Sequence, residues 1–267
     1  MNKTLLVLAS TLAIAALPQL AQAQTAAPAP AAAPAAEPEA SPLSFNVSLT
    51  SDYRYRGISQ TRLKPAIQGG VDYAFSNGFY VGTWASSIKW IKDLGGDANV
   101  ELDLYGGYKG EIVKDFTYDV GVLTYQYYHN HLNPSTNTTE IYGALTYGPA
   151  TLKYSHSVSN LFGFTDSKNS GYLDLSATFE VGPAIQLIPH VGYQKVRGTA
   201  ADGSTNNNFS YTDYSFTVGK DFSGFFLSAA IVGADTKTIN GVKAYASPAN
   251  GKDLGKSALV VAVKKTF

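Results

Sequence analysis

The sequence from residue 44 onward repeats one pattern, in which segments of about ten residues alternate apolar and polar side chains. Successive side chains of a β-strand point to opposite faces, so each segment predicts a strand with one apolar face. In FNVSLTSDYRYRG, residues 45–57, the odd positions are mostly apolar or aromatic, and the even positions include Asp52, Arg54 and Arg56. A soluble sheet buries its apolar face, whereas a membrane barrel turns that face to lipid. The pattern therefore predicts an all-β chain and leaves open which way the faces point.

Twelve such segments can be placed, and the connections between them alternate between short and long. The predicted strands are 44–57, 65–76, 78–90, 97–110, 115–129, 138–148, 150–160, 170–181, 184–196, 209–220, 224–235 and 256–267. An antiparallel barrel whose termini share one rim gathers tight turns at that rim and longer loops at the other. A Greek-key sandwich would mix the two kinds irregularly. We therefore predict a transmembrane antiparallel up-and-down β-barrel of about twelve strands, with both termini in the periplasm.

The first 43 residues have the features of an export signal followed by a tether. Lys3 precedes an uncharged run that ends at Leu17, and the triplet AQA at 21–23 has the small-x-small form that signal peptidase cuts. The run is shorter than the roughly 20 apolar residues of a transmembrane helix. Residues 1–23 are predicted to be a signal peptide. Residues 24–43 are mostly Ala and Pro and predict an extended periplasmic linker, so the barrel is assigned to 44–267.

Composition excludes several classes of function. The formal net charge is zero at pH 7 and there is no basic stripe, so no nucleic-acid partner is expected. Cysteine is absent, which excludes disulfides, thiolate metal sites and catalytic thiols. After the signal peptide no apolar run approaches about eighteen residues, so a membrane crossing would have to use strands.

If the barrel lies in a membrane, the apolar face of each strand must point outward to lipid. Hydrocarbon cannot satisfy free strand edges, so only a closed barrel with an apolar outer face is stable there. The odd face of 45–57, including Tyr53 and Tyr55, is therefore expected to meet lipid. The facing of 78–90 and 224–235, which are apolar on both sides, is undecided.

The polar faces are then expected to line a lumen, which twelve strands should make narrow. The candidate lumen-lining residues are Asp52, Arg54, Arg56, Gln68, Asp72, Glu101, Asp103, Asp119, Glu140, Lys153, Asp174, His190 and Asp213. Two compatible roles remain open for them: structural ion pairs that cross-link the interior, or an electrostatic filter along a pore.

Aromatic residues concentrate near the ends of the predicted strands, where rings with polar tips suit the headgroup level of a membrane. This set comprises Tyr73, Phe75, Phe79, Tyr80, Tyr125, Tyr127, Tyr128, Tyr147, Phe179, Tyr211, Tyr214, Phe222 and Phe225. The chain ends on Phe267 after an amphipathic strand, which resembles the signal that the outer-membrane assembly machinery recognises. That machinery is an expected partner.

No motif predicts an enzyme or a cofactor site. His129 and His131 form a lone H-x-H in a polar loop, which more often is solvated surface than a metal site. Ser155 and His156 are neighbours on one strand and point to opposite faces, so they do not form a nucleophile-base pair.

Several segments together resemble the proteobacterial TorF-type porin family. They are SDYRYRGISQT (51–61), PAIQGGVDYAFSNGFYVGTWAS (65–86), ELDLYGGYKG (101–110), YDVGVLTYQY (118–127), EIYGALTYG (140–148) and YLDLSATFEV (172–181). The resemblance spans Phe45 to Phe267 and is most specific in its first third. It implies an outer-membrane β-barrel and transfers no catalytic or binding residues.

These features predict an outer-membrane porin for passive diffusion of small hydrophilic solutes or ions. The alternative is a plugged barrel that acts as a structural or surface-interaction protein. A barrel-embedded hydrolase is a third and weaker hypothesis. The expected partners are outer-membrane lipids, the assembly machinery and the solutes, without a cofactor.

Overall fold

The computed structural model describes residues 41–267. The predicted signal peptide and residues 24–40 of the predicted linker lie outside the described residues. Among residues 41–267, no helix is long and apolar enough to cross a membrane.

Twelve long antiparallel strands, numbered β1 to β12 in chain order, form the body of the protein. They are β1 Leu43–Thr50, β2 Ala66–Ala74, β3 Phe79–Ser87, β4 Val100–Val113, β5 Phe116–Gln126, β6 Thr138–Tyr147, β7 Ala150–Ser157, β8 Gly171–Ala177, β9 Ile185–Lys195, β10 Tyr211–Phe222, β11 Phe225–Asp235 and β12 Ala258–Thr266. Each strand pairs with the next along the chain, and β12 pairs with β1. One extra short strand, Phe179–Glu180, continues β8 and pairs with β9. The sheet is therefore a closed barrel, which confirms the predicted antiparallel up-and-down barrel of about twelve strands.

Short and long connections alternate around this barrel as predicted. The short turns are 75–78, 114–115, 148–149, 181–184 and 223–224, and the long loops are 51–65, 88–99, 127–137, 158–170, 196–210 and 236–257. We call the two ends the short-turn rim and the long-loop rim. Asn46 pairs with Thr266, which places both ends of the barrel sequence at the short-turn rim.

Short elements cover the long-loop rim. They are the helical turn Trp90–Asp93, the 3-10 helix Asn206–Phe209, and the hairpin of Thr238–Ile239 with Val242–Lys243.

The barrel is apolar outside and polar inside, the reverse of a soluble sheet. On β5, Val120 and Val122 are 48% and 46% exposed, whereas the alternate positions Leu123 and Tyr125 are each 2% exposed. The same alternation settles the two strands whose facing was undecided. Val81 on β3 and Leu227 on β11 are exposed.

The first predicted strand is too long, and the expected lipid contact of Tyr53 and Tyr55 is wrong. Strand β1 ends at Thr50, and both tyrosines are buried inside the barrel. The chain turns inward because Arg54–Tyr55 pairs with Ile58–Ser59 around a two-residue turn. The turn residues Arg56 and Gly57 have φ of 46° and 77°, the positive values that a tight hairpin of this kind requires.

The aromatic residues predicted for the membrane interface separate into three groups. Tyr80, Tyr125, Tyr127 and Tyr211 are buried inside the barrel, so their predicted place at the membrane interface is wrong. Seven exposed rings surround the short-turn rim: Tyr73, Phe75, Phe79, Tyr147, Phe179, Phe222 and Phe225. Tyr128 and Tyr214 are exposed toward the long-loop rim.

Candidate functional site

A hairpin of the chain occupies the barrel interior near the long-loop rim. Residues 52–61, which we call the inner hairpin, are ten consecutive buried residues. Its far end is fastened to neighbouring loops, because the backbone N–H of Ser59 donates to the carbonyl of Leu254 and that of Lys89 donates to the carbonyl of Gln60. The inner hairpin therefore narrows the lumen.

Asp52 and Arg54 hold the inner hairpin in shape. Arg54 Nε lies 2.5 Å from Asp52 Oδ2, and its Nη1 donates to the carbonyls of Gly57 and Leu254 at 3.0 and 2.9 Å. The other carboxylate oxygen of Asp52 accepts from Ser59 Oγ at 2.5 Å. Both ions are thus engaged within the hairpin and its neighbouring loop.

Arg56 joins the inner hairpin to two strands of the wall. Its Nη2 lies 2.7 Å from Glu140 Oε2 on β6, and its Nη1 lies 2.5 Å from Gln194 Oε1 on β9. The guanidinium also stacks over the ring of Tyr172 at 4.2 Å from the centroid. Glu140 and Arg56 are only 1% and 5% exposed, so this ion pair is buried.

Strand β4 carries two buried carboxylates, and tyrosine hydroxyls donate hydrogen bonds to one of them. Glu101 Oε1 accepts from the hydroxyl of Tyr53 at 2.5 Å, and Oε2 accepts from that of Tyr127 at 2.6 Å. Asp103 is fully buried two residues along the same face. Tyr53 belongs to the inner hairpin, so Glu101 is a second anchor for it.

His190, Asp174, Asp213 and Tyr172 form one buried cluster. His190 Nδ1 lies 3.3 Å from Asp174 Oδ2, and Nε2 lies 2.8 Å from Asp213 Oδ1. The Tyr172 hydroxyl donates to Asp213 Oδ2 at 2.9 Å. Because both ring nitrogens of His190 face carboxylates, this arrangement does not supply a base for a serine nucleophile.

The half of the lumen toward the short-turn rim is partly open to water and carries charges of both signs. Lys109 Nζ lies 3.8 Å from Asp119 Oδ2, and these side chains are 19% and 18% exposed. Asp72 accepts from the hydroxyl of Tyr105 at 2.5 Å. Lys153 stacks over a tyrosine ring of β6 at 4.1 Å.

The remaining sequence-predicted residues lie elsewhere. Gln68 Nε2 donates to Ser86 Oγ at 3.2 Å on the inner wall. Phe267 is 70% exposed at the short-turn rim, and its backbone N–H donates to the carbonyl of Phe45 at 2.8 Å. Sequence reasoning missed Gln194 and Tyr172 as contacts of Arg56, although both alternate with outward residues on their strands and so belong to inner faces.

A separate cavity of about 420 Å³ lies at the long-loop rim, above the inner hairpin. Its aromatic lining comprises Tyr55, Trp90, Tyr127, Phe162, Phe164, Phe209, Tyr211 and Tyr245. Burial raises the pKa of the Tyr245 phenol above its ordinary value, so this group is neutral at physiological pH. The sequence analysis did not predict this cavity.

A closed barrel of twelve strands, with an apolar outer face and a polar, loop-constricted interior, has the architecture of outer-membrane porins. Solved porins share the fold. The KdgM porin in complex with disordered oligogalacturonate has a TM-score of 0.50 and 7% identity over 84% of this chain and 98% of its own. The NanC porin has a TM-score of 0.51 and 10% identity over 84% of this chain and 98% of its own. The protein is therefore an antiparallel β-barrel with the fold that these porins have.

At the level of sequence, the chain belongs to the family described as bacterial protein of unknown function (Gcw_chp), whose model matches residues 33–267. Among curated proteins, no sequence matches this chain.

Proposed function

We propose that the protein is a porin that passes small hydrophilic solutes or ions by passive diffusion through a narrow charged lumen. The observation that carries the proposal is the barrel interior, where a water-accessible half lined by Asp72, Lys109, Asp119 and Lys153 meets a constriction formed by the inner hairpin. In this proposal both termini and the short-turn rim face the periplasm, and the long loops face the outside. Phe267 then serves as the signal for the assembly machinery.

In this proposal, one set of charged residues forms structural ion pairs and a different set forms the electrostatic filter. Asp52, Arg54, Arg56, Glu101 and Glu140 act as structural ion pairs and hydrogen-bond acceptors that fix the inner hairpin. The half-buried charges toward the short-turn rim act as the electrostatic filter. The NanC and KdgM porins support the class of protein, and no substrate is carried over from them.

A second candidate function, a plugged barrel, is favoured by one observation. The Arg56–Glu140 ion pair fastens the inner hairpin inside the barrel, with both side chains almost fully buried. If this constriction stays closed, the long loops rather than the lumen carry the function.

Planar-bilayer conductance distinguishes the two candidates. In one variant, residues 54–59 are replaced by Gly-Gly; the backbone N–H of Gln60 already donates to the carbonyl of Tyr53 at 2.8 Å, so the ends can be joined. The matched control replaces residues 238–243, a hairpin of the same length in the last long loop, by Gly-Gly. We expect small discrete steps from the unaltered protein, severalfold larger steps from the 54–59 variant, and unaltered steps from the control.

Folding of each variant is checked by heat-dependent gel mobility, since a folded barrel migrates faster than the boiled chain. If the unaltered protein gives no steps while the 54–59 variant conducts, the barrel is plugged. If neither conducts although both are folded, the proposal that the lumen forms a channel is wrong.

A further inference from the structure

We propose that the cavity at the long-loop rim is a binding site for a small, uncharged molecule with a planar aromatic ring. The cavity has a volume of about 420 Å³, within the roughly 300–1,000 Å³ of small-molecule sites. It goes beyond the proposed diffusion function, because a molecule can bind at this mouth whether or not the lumen conducts.

Two arrays of aromatic rings line the cavity. In the first, the ring centroid of Trp90 lies 5.2 Å from that of Tyr127 and 6.5 Å from that of Phe162. In the second, the centroid of Phe209 lies 4.9 Å from that of Phe164 and 6.0 Å from that of Tyr245. These rings meet mostly edge to face, which fixes their positions. A planar ring bound in the cavity would therefore contact aromatic surface.

The charge of the lining indicates a neutral ligand. Among the described lining residues, Asp93 is the one with a formal charge. Its carboxylate is already engaged, because Oδ2 accepts from Arg62 Nε at 2.9 Å and from Ser247 Oγ at 3.3 Å. A charged ligand would therefore have to enter without an available counter-ion, which is unfavourable in a largely apolar site.

The polar groups of the lining are also mostly committed within the protein. The hydroxyl of Tyr245 donates to the carbonyl of Phe209 at 2.8 Å, and that of Tyr127 donates to Glu101. Gln194 accepts from Arg56 and donates to the carbonyl of Gly171 at 3.1 Å. A sugar needs many hydrogen bonds in a dry site. Most of the remaining lining is aromatic or aliphatic, so it favours an aromatic ligand over a carbohydrate.

Benzamide and cyclohexanecarboxamide are suitable probes, because they carry the same neutral amide and differ in the planarity of the ring. Binding is measured by equilibrium dialysis of the full mature chain in lipid nanodiscs, with empty nanodiscs as the blank. We expect benzamide to bind saturably at one site per chain, and cyclohexanecarboxamide to bind about tenfold more weakly. Trp90 is one of two tryptophans in the chain, so its fluorescence should change on binding.

The variant Phe209→Leu removes one ring of the cavity while keeping an apolar side chain. We expect it to weaken benzamide binding about three- to tenfold, in line with the usual strength of an aromatic pair. The matched control is Phe222→Leu, a half-exposed ring at the opposite rim, which should bind benzamide unchanged.

Three outcomes would overturn the proposal. Equal binding of the two amides would show general apolar partition, and saturable binding of glucose with higher affinity would show a carbohydrate site. Absence of saturation at about 10 mM benzamide in a folded barrel would show that the rings only pack the loops. None of these results depends on whether the barrel conducts.

Discussion

The Arg56 guanidinium lies inside the barrel and contacts two strands at once, through Glu140 on β6 and Gln194 on β9. A buried ion pair is a weak source of net stability, but removing one partner leaves the other charge buried without compensation. Substitution of Arg56 should therefore lower the stability of the barrel and displace the inner hairpin.

We expect Arg56→Gln to lower the free energy of unfolding by about 3–5 kcal/mol, because the Glu140 carboxylate keeps its buried position without its cation. The measurement is urea unfolding of the barrel in lipid vesicles. The control is Lys92→Gln, which breaks a solvent-exposed pair with Asp97 at the long-loop rim and should cost about 1 kcal/mol or less. The double variant with Glu140→Gln should recover part of the loss. Equal, small losses for both single variants would show that the buried pair does not anchor the hairpin.

A second residue-scale prediction concerns the charge preference of the lumen. Lys153 on β7 lies in the water-accessible half and stacks over Tyr142 at 4.1 Å. We expect Lys153→Gln to shift the reversal potential in a salt gradient toward cation preference, since one fixed positive charge is removed from the path. Lys168→Gln, at an exposed position of loop 158–170, should leave the reversal potential unchanged because salt screens charges beyond about 8–10 Å. No shift for Lys153→Gln would assign Lys153 a structural role only.

At the scale of the strands, glycines and rings of neighbouring strands fit together. Gly82 lies opposite Tyr105, Gly107 opposite Tyr80, and Gly121 opposite Tyr142. In each case a methyl group added to the glycine would fall within 2.6 Å of the opposing tyrosine side chain. The tyrosine ring covers the glycine, a device that holds strand register.

The glycine at 121 and the glycine at 143 provide a matched test. A methyl at Gly121 would lie 2.5 Å from the Tyr142 hydroxyl and 2.6 Å from the Gly106 carbonyl, whereas a methyl at Gly143 would meet only Val120 Cγ1, at 4.0 Å. We expect Gly121→Ala to cost about 1–3 kcal/mol of unfolding free energy through overpacking. Gly143→Ala should be neutral or stabilising by up to about 1 kcal/mol, because alanine restricts the unfolded chain. The same urea unfolding measures both, and equal effects would contradict a specific fit between Gly121 and Tyr142.

The strands were predictable because alternation with a period of two is a local property of the sequence. The inner hairpin could not be predicted, since its sequence keeps the same alternation as a strand. In SDYRYRG the pattern continues past Ser51, although the chain leaves the wall after Thr50. Its local signal is Gly57 alone, because glycine tolerates the positive φ of a tight turn. The partners of Arg56 are 84 and 138 residues away in sequence, and the aromatic cavity combines several loops, so no local pattern predicts either.

At the scale of the whole molecule, the outer face of the barrel is apolar and the inner face is polar, an arrangement that suits a membrane. Side chains such as Val261 on β12 and Ile231 on β11 are about half exposed and form a continuous apolar belt, which in water would favour aggregation. The belt leaves the direction of insertion undetermined, because it is compatible with either rim facing outward. Loop length predicts that direction: we expect the long loops to face the outside and the short turns to face the periplasm, as in outer-membrane barrels.

Because the chain has no cysteine, single cysteines can report this orientation in intact cells. Ser76 is exposed in a short turn and Ala249 is exposed in the loop 236–257, so Ser76→Cys and Ala249→Cys are suitable reporters. A bulky polyethylene-glycol maleimide cannot pass through a narrow lumen, so it should label Ala249→Cys in intact cells and label Ser76→Cys only after the outer membrane is broken. Both variants should be labelled equally in detergent, which controls for reactivity. Labelling of Ser76→Cys alone in intact cells would place the termini outside and reverse the direction in which a solute meets the aromatic cavity and the charged half of the lumen.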